Sequence, residues 1–293
     1  MSQGQVTHDI KKHPCFSAEA HGKFGRIHLP VSPVCNIQCR FCKRGFNKDE
    51  RRPGVSRALL TPEAAVGVLD RAVKLCPELT VVGIAGPGDT LAGDYALETF
   101  RLVHERYPSL IKCLSTNGLL LKEKIDGLVK AGVRAITVTI NAVEVKILAK
   151  VCSHIVYNGQ YITGEMAARW LVLAQLAGIE KAVDLGVTVK VNTVLIPGIN
   201  DHHIGDIAKT AANAGAAFIN IIPLIPEHEF RNHRSPDCLE VNAARMSAEK
   251  YLPVIRHCQQ CRADACGIPG GKIDFAEVLY DKREIVPNIS ALR

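Results

Sequence analysis

The stretch Cys35-Asn36-Ile37-Gln38-Cys39-Arg40-Phe41-Cys42 decides how the rest of the chain is read. Three cysteines stand within eight residues, separated by three and then by two others. At that spacing three thiolates reach one small inorganic core. Four cysteines would close a tetrahedral zinc site or saturate an iron–sulfur cluster. Three leave one iron of a cubane open, and an open iron is a place to bind and activate a small molecule. The competing reading is a structural zinc knuckle with a distant fourth ligand.

The composition sets the frame around this motif. A chain of 293 residues is long enough for one α/β barrel domain. With 47% hydrophobic and 22% charged residues it has the balance of an ordinary globular protein. No apolar run approaches the roughly 18 residues of a membrane span, and residues 1–15 lack the apolar centre of a secretory signal. A net charge of +7 suits anionic partners. No basic stripe with interleaved aromatics accompanies it, so neither nucleic acid nor membrane is an expected partner. Eleven cysteines are a heavy load, yet the chain is too long and regular for a disulfide-stapled scaffold. Six of them fall into two groups, Cys35, Cys39, Cys42 and Cys258, Cys261, Cys266. That grouping suggests metal ligands in a reducing compartment, hence a cytoplasmic, oxygen-sensitive protein.

Outward from the motif, strand-like and helix-like patterns alternate. Strands are expected over Arg26–Val31, Leu79–Ile84, Ile111–Ser115, Ala135–Ile140, Val187–Leu195 and Ala217–Ile222. Helices are expected from Thr61-Pro62 onward (Thr61 as cap), then over Ala96–Arg106, Glu123–Ala131, Gly164–Leu185 and Asp201–Ala214. Such alternation implies right-handed crossovers and a parallel sheet with helices outside. Six units are too few to close an eight-stranded barrel. The fragment Ala142–Thr163 breaks the rhythm and reads as a loop or short helix over one barrel face. The tail from Cys266 reads as a flexible or capping element.

Functional groups collect where parallel strands end. The second strand runs into Gly83-Ile84-Ala85-Gly86-Pro87-Gly88-Asp89, where glycines let backbone approach a ligand closely; a plain strand-to-helix turn is the alternative. The third strand ends in Cys113-Leu114-Ser115-Thr116-Asn117-Gly118, the fourth in Asn141, and the fifth continues through Asn192. Each polar group taken singly is as well read as a turn or capping residue. Near the C-terminus, Cys258-Gln259-Gln260-Cys261 is ambiguous between redox dithiol, zinc half-site and cluster ligand. Cys15, with a histidine nearby, is its natural distant partner. Cys76 and Cys238 have no partner spacing and read as core or surface thiols.

The spacing Cys-x-x-x-Cys-x-aromatic-Cys resembles the signature of the radical S-adenosylmethionine (SAM) enzymes. Further blocks extend the likeness to the NifB family of nitrogenase cofactor biosynthesis. They are His13-Pro14-Cys15-Phe16, Glu19-Ala20-His21, Arg52-Pro53-Gly54, Gly83–Asp89, Ser115–Gly118, Thr137–Ala142, Ile196–Asp201 and His257–Asp264. The resemblance implies a partial (β/α)6 TIM-like barrel over residues 26–235, with an N-terminal extension over 1–25. A C-terminal helix, Cys-x-x-Cys segment and tail over 236–293 would help close it. A carrier domain fused in some relatives would be absent, since the chain stops at Arg293.

The likeness further implies that Cys35, Cys39 and Cys42 hold a catalytic 4Fe–4S cluster whose open iron binds SAM, with Phe41 near the adenine. Gly86, Gly88 and Asp89 would face the SAM amino group, and Ser115, Asn117, Asn141 and Asn192 its ribose and carboxylate. Cys15, Cys258 and Cys261 would hold a first substrate cluster, and Cys113 with His28 would help hold a second. Relatives carry one more cysteine just after the motif, where this chain reads Lys43-Arg44-Gly45-Phe46-Asn47-Lys48-Asp49-Glu50. The second cluster would therefore be held loosely, use Asp49 or Glu50, or be absent. The implied reaction fuses two 4Fe–4S clusters around a SAM-derived carbide into an eight-iron precursor. Its implied partners are a cluster donor, a ferredoxin- or flavodoxin-like electron donor and a cofactor carrier. The alternatives are a radical SAM enzyme acting on an organic substrate, and a non-catalytic iron–sulfur scaffold.

Overall fold

The computed structural model describes residues 8–280; residues 1–7 of the expected N-terminal extension and 281–293 of the expected tail lie outside them. Six parallel strands form the scaffold: β1 (Gly25–His28), β2 (Leu79–Ile84), β3 (Ile111–Thr116), β4 (Val133–Thr139), β5 (Thr188–Leu195) and β6 (Phe218–Pro223). Each pairs with the next in chain order, the outcome expected when every connection is a right-handed crossover. The helices are α1 (Pro62–Leu75), α2 (Tyr95–Arg106), α3 (Leu121–Lys130), α4 (Val145–Val151), α5 (Gly164–Asp184), α6 (Ile204–Asn213) and α7 (Cys238–Glu249). Thr61 caps α1 by accepting from the Ala64 N–H, and Pro62 takes the first helical position. Asp237 and Glu240 form a reciprocal capping box on α7.

Side-chain alternation along the strands divides core from cavity. Val189 and Val191 of β5 join Ile136 and Val138 of β4 and Ile219 and Ile221 of β6 in the aliphatic core, each contributing about 1.5–3 kcal/mol by burial. The opposite face of the same strands carries Lys190, Asn192, Thr137 and Thr139 and lines a cavity. The sheet is an open, curled half-barrel, as expected for six units.

Two very short strands finish it. Val254–Ile255 adds to β6 in parallel, and Cys266–Gly267 adds to β1 antiparallel. The ten residues between them, 256–265, form a strap running from one sheet edge to the other. Asp264, wholly buried, anchors the strap: it accepts from the Arg57 N–H at 2.6 Å and pairs with the guanidinium groups of Arg57 and Arg262. The tail up to Tyr280 caps the β1 edge, with the Tyr280 hydroxyl donating to the His28 carbonyl at 2.8 Å.

The fragment Ala142–Thr163 is more ordered than a loop or short helix alone. After α4, Cys152–Tyr157 and Gln160–Thr163 form a hairpin, and the first of these strands pairs with Ile37–Cys39 inside the cysteine loop. The turn is Asn158-Gly159, with φ of 49° and 74°. Positive φ at both central residues is what a two-residue hairpin turn demands. Among the described residues no helix is long and apolar enough to cross a membrane.

Candidate active site

Cys35, Cys39 and Cys42 line one cavity of about 350 Å³ at the mouth of the half-barrel. Their loop is held from several sides. The Gln38 side-chain amide donates to the carbonyls of Cys39 and Cys42 at 2.8 and 3.0 Å, and the Arg40 N–H reaches the Val151 carbonyl. The glycine-rich turn after β2 grips the approach to Cys35. Gly88 N–H donates to the Ser32 carbonyl at 2.7 Å and Asp89 N–H to the Val34 carbonyl at 2.8 Å. A Cβ at Gly88 would lie 2.0 Å from the Val34 oxygen. This glycine is required by close approach of the protein's own chain. Gly86 does not line the cavity, whereas Gly88 and Asp89 do.

Asp89 is buried and spends its carboxylate on the protein: Thr116 Oγ1, the Asn117 N–H and the Leu91 N–H all donate to it. It thereby fixes Asn117, whose Nδ2 donates to Asn36 Oδ1 at 2.7 Å and reaches Cys35 Sγ at 3.8 Å. Ser115 and Phe41 line the cavity. Asn141 and Asn192 also line it, but each already accepts one hydrogen bond, from the Val194 N–H and from Asn220 Nδ2 respectively.

Burial keeps these thiols protonated in the absence of a cation. Cys35 is pushed up to about 12 by burial and then by the Asp89 charge. Burial also raises Cys39 and Cys42, with neighbouring Cys152 adding to the effect on Cys39. Iron would supply the compensating charge, so three such thiols suit a metal core. Among the described residues no three His, Cys, Asp or Glu side chains converge on a single metal ion. A cubane asks for no such convergence, because each thiolate binds a separate iron. The residues fit a 4Fe–4S cluster with SAM on its open iron.

The other predicted ligands line the same cavity: Cys15, His28, Cys113, Cys258 and Cys261. They come from the N-terminal segment, β1, β3 and the strap. Cys15 lies close enough to Cys258, Cys261 and Cys113 for their charges to act on one another. His28, Gly83 and Cys113 share one register row across β1, β2 and β3. A Cβ at Gly83 would meet Cys113 Sγ at 3.0 Å and His28 Cδ2 at 3.2 Å, so the bare glycine lets the two face each other. His28 Nδ1 lies 3.0 Å from the Arg262 carbonyl, which can only accept, so Nδ1 carries the proton and Nε2 keeps a free lone pair. Burial, then the Arg26 charge, lower His28 to about 4 and keep it neutral.

Asp49 and Glu50 do not line the cavity, and Glu50 is paired with Arg52 and Asn47. Cys76 is buried and Cys238 exposed, while Cys152 lines the cavity beside Cys39. Sequence reasoning missed two polar lining groups, Gln175 and Lys190, and the buried Arg26 next to lining residue Cys261. Gln175 of α5 donates to the Asn117 and Thr139 carbonyls and leaves a buried Oε1 without a partner. Its signal was a lone amide on the apolar face formed by Leu171, Val172 and Ile179. Arg26 and Lys190 are cations inside otherwise apolar strands.

The radical SAM superfamily matches residues 29–211. An FeMo cofactor biosynthesis protein NifB from Methanocaldococcus infernus is 46% identical over 96% of this chain and 93% of its own length. A second NifB, from Methanocaldococcus jannaschii, is 45% identical over 90% of this chain and 88% of its own. The chain belongs to the NifB family of radical SAM enzymes. Solved structures share this fold at low identity. A radical SAM methyltransferase from Sphaerobacter thermophilus gives a TM-score of 0.57 at 18% identity, covering 78% of this chain and 65% of its own. Methylornithine synthase (PylB) gives 0.51 at 13%, covering 91% and 79%.

Proposed function

We propose that this NifB-family chain is the enzyme of nitrogenase cofactor biosynthesis that joins two 4Fe–4S substrate clusters around a SAM-derived carbon, giving an eight-iron precursor. One observation carries the reading. Five donors from four separate segments, Cys15, His28, Cys113, Cys258 and Cys261, share a cavity with the three-cysteine motif. An organic substrate would not call for them.

When bound, the cluster on Cys35, Cys39 and Cys42 supplies the electron for reductive cleavage of SAM. The protein's part is orientation and exclusion of water. In this reading Asn117 and Gln38 hold the motif loop, and Phe41, Ser115, Asn141 and Asn192 receive SAM. Cys15, Cys258 and Cys261 hold one substrate cluster; Cys113 and His28 hold the other with two ligands, hence more weakly. The barrel (26–235) supplies the SAM site, while the extension (1–25) and the C-terminal part (236–293) complete the substrate site. A cluster donor, a low-potential electron donor and a cofactor carrier in a reducing cytoplasm would serve it.

The test is anaerobic reconstitution with iron and sulfide, followed by iron count, 5′-deoxyadenosine yield and the EPR signature of the product. Replacing Cys35, Cys39 and Cys42 together by Ala should abolish SAM cleavage while other iron stays bound. Cys113→Ala should spare SAM binding and stop the eight-iron product. A Cys113→Ala protein that still makes product would overturn the assignment of the second substrate cluster.

A further inference from the structure

Two buried cations stand at the cavity: Lys190 lines it, and Arg26 reaches its lining residue Cys261. Lys190 and Arg26 are 5% and 7% exposed, and among the described residues neither pairs with a carboxylate. Arg26 donates through one guanidinium nitrogen to the Gly267 carbonyl at 2.8 Å and through the other to Cys261 Sγ at 3.1 Å. The Lys190 ammonium has three donors and uses one, on the Cys15 carbonyl at 3.3 Å, while lying 4.6 Å from the centre of the Phe16 ring. A third donor stands beside them. His13 is buried, and its Nδ1 accepts from the Cys15 N–H at 3.1 Å. The proton is therefore on Nε2, which has no partner.

Buried charge without a counter-charge is strongly unfavourable, so this arrangement is built for an anion. Its location says which one. Lys190 is two residues before Asn192 on β5, below the strand ends, and its charge acts on Cys15, Cys113, His13 and His28. A cubane on three thiolates is anionic, and its sulfides accept N–H hydrogen bonds that tune its potential.

We propose that Lys190, Arg26 and His13 form an anion-recognition subsite for the sulfide face of the substrate cluster at Cys15, Cys258 and Cys261, with Lys190 as its positioning residue. The subsite rests on the assignment of that cluster in the proposed function. It supplies charge neutralisation beside three thiolates, and it selects an anionic iron–sulfur cargo over a neutral organic one.

The test uses the full chain with Cys35, Cys39 and Cys42 changed to Ala, so that iron signals come from the substrate site. Lys190, K190M and K190R forms are reconstituted anaerobically. Midpoint potential is read by EPR-monitored titration and cluster stability by the rate of iron loss to a chelator. K190M should shift the potential to more negative values and lose iron severalfold faster, and K190R should restore most of both. A K190M protein with unchanged potential and unchanged iron loss would overturn the subsite. If K190M is insoluble, Lys190→Gln is read in the same two assays, with the same negative shift expected and an unchanged potential counting against the proposal. Cys258→Ala separates the two layers. If it keeps full iron, the substrate-cluster assignment itself fails. If it loses iron while K190M is unaltered, only the lysine subsite fails.

Discussion

Gly88→Ala is the sharpest test of how the cysteine loop is held. The added Cβ would lie 2.0 Å from the Val34 oxygen and 2.5 Å from its carbonyl carbon, and must retreat by about 1.4 Å to reach an ordinary 3.4 Å contact. Both partners are backbone, so no rotamer change relieves the clash. The retreat breaks two backbone hydrogen bonds, from Gly88 to Ser32 and from Asp89 to Val34. Each contributes about 1 kcal/mol, and overpacking adds about 1–3 kcal/mol. The expected loss is ~3–5 kcal/mol, a fall in melting temperature of roughly 10 °C. Cys35 follows Val34 directly, so the displacement passes into the motif. A shift of about 1 Å at a reacting centre costs on the order of 100-fold in rate. The assay is anaerobic thermal melting together with 5′-deoxyadenosine formation. Gly93→Ala is the control, because its Cβ meets only the Tyr95 ring, at 3.5 Å. Wild-type melting and wild-type SAM cleavage in Gly88→Ala would refute the reasoning.

Three further substitutions probe the parts around the loop. Cys15→Ala should lower iron content as much as Cys258→Ala; full iron in one and a lost cluster in the other would separate the two residues. Asp264→Asn leaves Arg57 and Arg262 buried without their partner, and should destabilise by about 3–5 kcal/mol and loosen the strap. Chemical denaturation under argon reads the first effect and retained iron the second. Gly159→Ala has nothing within 4 Å of the new Cβ, so it isolates the cost of positive φ. About 1–2 kcal/mol is expected, and an unchanged melting curve would count against a strained turn.

The barrel was legible because buried parallel strands are written as apolar runs such as Val187–Leu195, spaced by amphipathic helices. The motif was legible because thiol spacing is a local property. What escaped depended on the partner a residue meets. Gly88 reads as a glycine that admits a ligand, yet the chain it admits is residues 32–34. Asp89 reads as a SAM contact, yet its oxygens are taken by Thr116, Asn117 and Leu91. The strap pairs through two residues at each end, too few to show a period. The hairpin was missed despite a legible sign, the Asn158-Gly159 dipeptide between β-branched and aromatic residues. Lys190 reads as part of a strand, and its isolation from any carboxylate among the described residues is visible only in three dimensions.

The strap also sets an order in time. The motif at residues 35–42 and strands β1 to β6 precede it along the chain, and so leave the ribosome first. Cys258 and Cys261 emerge only after the whole half-barrel, and Cys15 waits for them from the start of synthesis. A nascent chain can therefore complete the three-cysteine loop before it can bring Cys15, Cys258 and Cys261 together. On the proposed assignments, a chain unfinished at the strap would already carry the motif cysteines, His28 and Cys113, and would lack only Cys258 and Cys261.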